Sequence, residues 1–383
     1  MANNNENKIL NVPNLRFPEF SGKWKKCTLG DITINFNLRN KEKIELPMYS
    51  VTNNRGFIPQ SEQFEDRDMV GEDIKAYKII HNKDFAYNPA RINVGSIAKY
   101  NGSKPCMISS LYVCFKAANG IDEDWLMHLL RSPKIQYYYN INGEGGVRIY
   151  LFYPNFARIR TSFPTIAEQR KIANLLSLLD ARITTQNKII EDLKKLKSAI
   201  YQNLFFHLQG DKVPLSELAE IIKGQQINGS ELSENGKYYV MNGGITPSGY
   251  YDNYNTEADT ISISEGGNSC GYVQYNSSDF WSGGHCYTLR IKPTALISTP
   301  FLFHFLKWKE PDIMALRSGS GLPNIQKKDL SKVCIIVPTL DEQQQLIALL
   351  STFQMKIENE EIFTSNLNKQ KQHLLSQMFI CTS

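Results

Sequence analysis

The chain is 383 residues long, 42% hydrophobic and 21% charged, with a formal net charge of +5 at pH 7. That length is too great for one average domain and suits two with separate cores, while the slight basic excess permits a polyanionic partner without demanding one. Seven cysteines (Cys27, Cys106, Cys114, Cys270, Cys286, Cys334 and Cys381) are odd in number and lack C-x-x-C pairing, which argues against a disulfide framework or zinc knuckle and for reduced thiols in a cytoplasm.

The opening MANNNENKILNV has no basic segment followed by an apolar one, and no run reaches the roughly 20 apolar residues of a spanning helix. The expectation is a chain neither secreted nor membrane-spanning, with its first residues disordered. Short β-branched and aromatic runs follow, broken by Gly, Asn and Pro: LPMYSVTNNRGFIP, DFAYNPARINVGSIAKYNG and SSLYVCFKA. They predict a compact β-rich globule with long loops, then a short helix in DEDWLMHLLRS and a Gly-rich loop, GEGGVRI.

At FPTIAEQRKIANLLSLLD (163–180) the pattern changes to helical. Thr165 to Glu168 reads as a capping box, in which hydroxyl and carboxylate satisfy amide donors of the first turn. From there Ile172, Leu176, Leu179, Ile183, Ile190, Leu193, Ile200 and Leu204 recur at three-to-four-residue steps. A helix from Ile166 to about Phe206, closed by Gly210, would be on the order of 60 Å long, more than a domain of this size needs for its own core.

The second half repeats the order of elements. KYYVMNGGITPSGYY, TISISEGGNSCGYVQYN and HCYTLRIKP read as strands and loops, TPFLFHFLKWK as a short helix, and RSGSGLPNI as a Gly-rich loop. VPTLDEQQQLIALLSTFQ (337–354) then restates the long helix, with a second capping box at Thr339 to Glu342 and a stripe of Leu346, Leu350, Phe353, Ile357, Leu367, Leu374 and Met378. Sliding the chain against itself by roughly 170 residues aligns the two PT-x-x-EQ segments without a gap.

A lone stripe more often marks a core helix of a duplicated enzyme domain. Duplication, matching caps and unusual length favour a strut that holds two diverged globules. The expected fold is α+β: two β-rich α/β recognition domains separated by two long antiparallel coiled-coil helices, with pseudo-two-fold symmetry. The expected boundaries are an N-terminal extension at 1–16, a first domain at 17–164, a central spacer helix at 165–209, a second domain at 210–338 and a C-terminal spacer helix at 339–383. Ile172, Leu176, Leu179, Ile183, Leu193, Leu346, Leu350, Phe353, Ile357 and Leu367 are the expected spacer-packing residues.

Catalytic motifs are missing from the sequence. Asn88-Pro89-Ala90-Arg91 lacks the second proline and aromatic of an amino-methyltransferase, and no phosphate-cradling G-x-x-x-x-G-K-[ST] occurs. The six histidines, including His285 in GGHCYTL, show no metal-ligand spacing and no nucleophile elbow is present, while the acids Glu65, Asp66 and Asp122 to Asp124 sit in ordinary loop or helix-start contexts. What remains is recognition chemistry: forked polar side chains on Gly-rich loops suit base edges, and lysines and amides suit phosphates. The candidates are Asn53, Asn54, Arg55, Arg91, Asn93, Lys99 and Arg148 in the first globule, and Lys223, Asn242, Thr246, Ser248, Asn268, Ser269 and Arg317 in the second. For any one of them a structural loop role is the commoner alternative.

LRFPEF-x-G-x-W-x-x-x-x-LGDI near the start, YNPARINVGSIA, and the twice-written PT-[IL]-x-EQ-x-x-[IL]-x-x-LLS together resemble the DNA-specificity (S) subunit of type I restriction-modification systems, over nearly the whole chain. The resemblance implies a non-catalytic subunit whose two target-recognition domains each read one half of a split double-stranded DNA site. Half-sites on one face of the duplex lie about 34 Å apart or somewhat more, within reach of such a strut. It implies two methyltransferase subunits and two motor-nuclease subunits as partners, with S-adenosylmethionine, ATP and Mg2+ on those partners and no cofactor or metal on this chain.

The two halves also depart from each other. GGVRIYLFYPNF offers Arg148 and Tyr150 where the second loop reads GLPNIQKKDL, and the second strut is more polar at Glu358 to Glu361. Two alternatives stay open: the recognition subunit of a related type II system with a fused nuclease-methyltransferase partner, and a coiled-coil scaffold that binds no DNA and is indifferent to salt.

Overall fold

The computed structural model describes residues 11–62, 74–145, 149–319, 321 and 323–380. The disorder expected of the first residues, Glu65, Asp66, Arg148 and Cys381 lie outside the described residues. Contacts divide the chain into two compact units, residues 1–187 with 362–383, and residues 188–361. The division runs through both long helices.

The first unit contains, in chain order, β1 (Lys25–Thr28), α1 (Leu29–Ile32), β2 (Thr33–Phe36), β3 (Tyr49–Thr52), β4 (Gly56–Pro59), β5 (Lys78–Ile80), β6 (Phe85–Tyr87), β7 (Ile97–Lys99), β8 (Cys106–Ile108), β9 (Val113–Ala117), α2 (Glu123–Leu130), α3 (Pro133–Asn142), α4 (Tyr153–Ala157), β10 (Arg160–Phe163) and the first part of α5 (Ile166–Phe206). Its main sheet has the order β2-β9-β6-β7, all antiparallel, and β1 pairs with β10. α2 begins where Asp122 accepts from the amides of Asp124 and Trp125, with Glu123 and Asp124 at the positive helix end. It buries Trp125, Leu126, Leu129 and Leu130 in a core with Phe85, Tyr87, Phe115 and Phe156, into which α5 sends Ile172 and Leu176. Leu375, Met378 and Phe379 enter the same core.

The second unit contains the rest of α5, then β11 (Asp211–Pro214), α6 (Leu215–Leu218), β12 (Ala219–Lys223), β13 (Tyr238–Met241), β14 (Tyr250–Tyr251), β15 (Thr260–Ser264), β16 (Val273–Asn276), β17 (Trp281–Ser282), β18 (Cys286–Ile291), α7 (Thr299–Trp308), α8 (Glu310–Ala315), α9 (Lys327–Leu330), β19 (Cys334–Val337) and the first part of α10 (Leu340–Met378). Its main sheet has the order β12-β18-β15-β16, all antiparallel, and β11 pairs with β19. The four-stranded sheet and the terminal strand pair repeat the first unit's order, while the smaller sheets differ: β3-β4 and β5-β8 in the first unit, β14-β13-β17 in the second. α7 packs Phe301, Leu302, Phe305 and Leu306 against Phe205, Ile261, Ile263, Leu289 and Leu350.

The repeated Glu-Gln pair shows what the duplicated motif does locally. Gln169 is fully buried: its amide nitrogen donates to the carbonyls of Pro164 and Gly120, and its oxygen accepts from the Asp122 amide at 2.8 Å. Gln343, equally buried, donates to Pro338 and Leu296 and accepts from the Ser298 amide at 2.9 Å. In each unit this glutamine ties the start of a long helix to the segment that begins a short one.

The glutamates differ. Glu342 forms the expected capping box, accepting from the Thr339 amide and hydroxyl at 2.9 and 2.8 Å, and those bonds hold its carboxyl below the usual range. The box expected at Thr165 is not what Glu168 makes. Its carboxylate, 1% exposed, accepts a two-pronged pair of bonds from Arg16 at 2.8 and 2.7 Å and a third from the Trp24 indole at 3.2 Å. A guanidinium fork outcompetes a hydroxyl where the carboxylate is buried.

Within each unit the long helices meet along the stripes read from the sequence. In the first, Asp180 pairs with Lys371 and Arg182 lies over the Phe363 ring, so numbering rises on one helix as it falls on the other. In the second, Lys194 pairs with Glu361 at 2.6 Å and Lys197 donates to Gln354 at 2.6 Å. Ile172, Leu176, Leu350, Ile357 and Leu367 are buried, and Leu179, Ile183, Leu193, Leu346 and Phe353 half-buried.

Candidate nucleic-acid interface

In the first unit Asn53, Asn54 and Arg55 form the exposed tip of the β3–β4 hairpin, with Arg55 paired to Glu62 at 2.8 Å. Arg91 and Asn93 lie on the turn between β6 and β7, where Asn93 donates to Asn140 at 3.1 Å. The hairpin and the turn are joined: Ser96 donates to the Val51 carbonyl at 2.8 Å, and the place a Cβ would take on Gly95 (φ +98°) is 3.6 Å from the Asn53 carbonyl oxygen. Lys99 is set back, its side chain 11% exposed and its ammonium held by Asp124.

Asn54, Arg55 and Lys99 line one cleft of about 660 Å³, together with Asp124, His128 and Arg131. Burial pushes His128 down to about 4, although Asp180 lies 4.0 Å away, and its Nε2 lies 3.2 Å from the Ser177 hydroxyl. His304 on α7 is the counterpart in the second unit, also pushed down to about 4 by burial, with Tyr201 at 3.3 Å. Both are neutral, packed imidazoles near pH 7.

In the second unit four segments converge. Asn242 Oδ1 accepts from the His285 amide at 3.0 Å, Ser264 donates to the Gly243 carbonyl at 2.6 Å, and Gly267 donates to Pro323 at 3.0 Å. Asn268 and Ser269 lie on the β15–β16 turn, Thr246 and Ser248 are exposed on the 243–249 loop, and exposed Arg317 lies just past α8. Lys223, at the end of β12, is bonded to Glu265 at 2.7 Å. The geometry thus gathers Asn242, Lys223, the Asn268–Ser269 turn, Pro323 and Ile325 around Glu265.

Sequence reasoning missed Glu265 and His285. Glu265 is buried, and its carboxylate takes Lys223 and the Tyr287 hydroxyl, at 2.7 and 2.9 Å, on Oε1. His285 Nδ1 lies 3.7 Å from Oε2, with its own side chain 64% exposed. Among the described residues no group of three or more His, Cys, Asp or Glu could hold a metal ion, the six cysteines are free, and no helix is long and apolar enough to cross a membrane.

Residues 210–367 match the family model described as the type I restriction modification DNA specificity domain. A putative type I specificity subunit of Mycoplasma pneumoniae is 36% identical over 149 residues, a match spanning 39% of this chain and 40% of that protein. The chain thus matches only about two fifths of the length of that relative. A putative type I restriction enzyme specificity subunit of Methanocaldococcus jannaschii is 23% identical over 92% of this chain and 95% of its own length. The crystal structure of an S subunit from a type I restriction-modification system of M. genitalium superposes with a TM-score of 0.61 at 18% identity, covering 97% of this chain and all of that one.

Proposed function

We propose, for a chain whose residues 210–367 match the type I restriction modification DNA specificity domain and which has the fold of a solved S subunit, that it is the sequence-reading subunit of such a complex. Each unit reads one half of a split double-stranded DNA site through the loops at one end of its four-stranded sheet. The observation that carries this reading is one antiparallel sheet order built twice, β2-β9-β6-β7 and β12-β18-β15-β16, beneath two different sets of polar loops. A duplicated enzyme would keep its chemistry and vary its frame; here the frame is kept and the loop chemistry varies.

On the same reading the long helices pair antiparallel as the spacer that sets the distance between half-sites. Methyl transfer and cleavage fall to two methyltransferase and two motor-nuclease subunits in the cytoplasm, which bring S-adenosylmethionine, ATP and Mg2+. The test is single-molecule methylation mapping of DNA from cells that express this chain with its methyltransferase subunit, beside cells lacking this chain. A split adenine-methylated motif appearing only with the chain is expected; an active, bound methyltransferase that produces no new motif overturns the reading.

A further inference from the structure

Glu265 is the one buried carboxylate at the convergence of the second unit's candidate loops. Its backbone amide donates to the His285 carbonyl at 2.9 Å and its carbonyl accepts from the Ile325 amide at 2.8 Å, so it joins the 283–285 turn to Ile325. Its side chain adds a third and a fourth attachment, to Lys223 on β12 and to the Tyr287 hydroxyl on β18. Tyr287 also reaches the Ile325 carbonyl, at 3.2 Å.

A buried ionised carboxylate costs free energy unless its hydrogen bonds are met, and replacing this node by apolar packing would serve stability as well. What apolar packing could not do is hold two exposed nitrogen-bearing side chains in fixed places. Lys223 and His285 are 55% and 64% exposed, yet the carboxylate holds the Lys223 ammonium on Oε1 and has His285 Nδ1 beside Oε2. The His285 backbone is fixed twice more, its amide by Asn242 Oδ1 and its carbonyl by the Glu265 amide. An exposed side chain on a backbone this constrained is presented rather than merely solvated.

We propose that Glu265 is a positioning residue for the second unit's recognition surface, holding Lys223 and His285 together as a pair that meets hydrogen-bond acceptors on DNA. Those acceptors are purine edges or phosphate oxygens, and Glu265 acts through the pair without touching DNA. This rests on the DNA-reading function proposed above. Among the described residues the first unit's equivalent turn starts instead at Asn88, whose side chain accepts from the Ala90 amide at 3.0 Å.

The experiment uses the full chain co-expressed with its methyltransferase subunit, as wild type, Glu265→Gln and Tyr287→Phe, with the first half-site serving as internal control. Methylation maps and binding to duplexes altered one base at a time are read for both half-sites, together with the salt dependence. Glu265→Gln is expected to weaken discrimination or affinity at the second half-site by about tenfold and to leave base preference at the first unchanged. A loss of base preference assigns the contact to purine edges, and a shallower salt slope with preference intact assigns it to phosphates. Tyr287→Phe, which removes one hydroxyl, is expected to move the same half-site less and keeps the question answerable if Glu265→Gln does not fold. Equal discrimination at both half-sites in a folded variant overturns the inference, as does a loss shared equally by the two. A wild-type complex that methylates no split site overturns the functional reading instead.

Discussion

The turn between β6 and β7 in the first unit and the turn between β15 and β16 in the second occupy one place in one topology, and they are secured in opposite ways. The first, residues 88–96, is held to a neighbouring hairpin by one side-chain bond, Ser96 to the Val51 carbonyl, and by the close approach of Gly95 to Asn53. The second, residues 265–271, is anchored by a buried charge, and Gly271 (φ +91°) brings the chain so near α8 that a Cβ would sit 2.8 Å from Met314 Cα. The sheet tolerates either solution because its cross-strand pairs face the core. The rim is where a duplicated unit is free to diverge.

The same contrast runs through the repeated Glu-Gln, and the largest expected effect breaks it there. Glu168→Ala leaves the Trp24 indole without its acceptor and strips the carboxylate from the Arg16 guanidinium, which keeps only the Ser21 and Gly22 carbonyls, a loss of about 3–5 kcal/mol. Glu342→Ala removes only an exposed cap and is expected to move the unfolding midpoint much less. Denaturant unfolding of both variants checks this; equal losses would mean that the two glutamates do the same job. The glutamines sharpen the point by agreeing. Gln169→Ala and Gln343→Ala each strand two carbonyls and one amide, and each is expected to cost about 2–3 kcal/mol in the same assay.

Acid sharpens the comparison further. His128 and His304 are both held near 4 by burial, well below the ordinary value of 6.5. The folded state therefore binds fewer protons than the unfolded state between these limits, so stability is full above about 6.5 and falls as pH drops toward 4, by about 2 kcal/mol per histidine at pH 5. His128→Gln and His304→Gln are each expected to flatten part of this acid limb in unfolding measured between pH 7 and 5. The charges around the two differ: Asp180 and Asp124 favour the charged form of His128 while Lys371 and Arg131 oppose it, and only Lys197 acts on His304, against its charged form. An unchanged limb in either variant would show that its imidazole is already solvated.

The sequence made the long helices legible because their signals are local. Thr165 and Thr339 precede stripes whose burial follows a 3.6-residue period, and α5 runs from Ile166 to Phe206 as the periodicity predicts. It did not show who pairs with whom. Glu168 and Arg16 are 152 residues apart, and Lys223 and Glu265 meet only because β12 and β15 both flank β18. Lys99 and Lys223 therefore stand among the candidate contacts although each already has a carboxylate, and Glu265 does not stand among them. Residues such as Arg91 and Asn268, on exposed turns, were found because glycine and asparagine mark turns without any knowledge of the partner strand.

Arg91 and Arg317 give the smallest expected effect and the most direct comparison of the units. Each is exposed, and each lies beside a turn that the other unit builds differently. If the units read separate half-sites, Arg91→Ala in the reconstituted complex should weaken recognition of one half by about tenfold and leave the other untouched, and Arg317→Ala should do the reverse. Competition binding against duplexes in which only one half-site is scrambled separates the two. A variant that lowers affinity equally for both scrambled duplexes would identify its arginine as a phosphate contact that positions the complex without reading sequence, because phosphate oxygens are the same under every base.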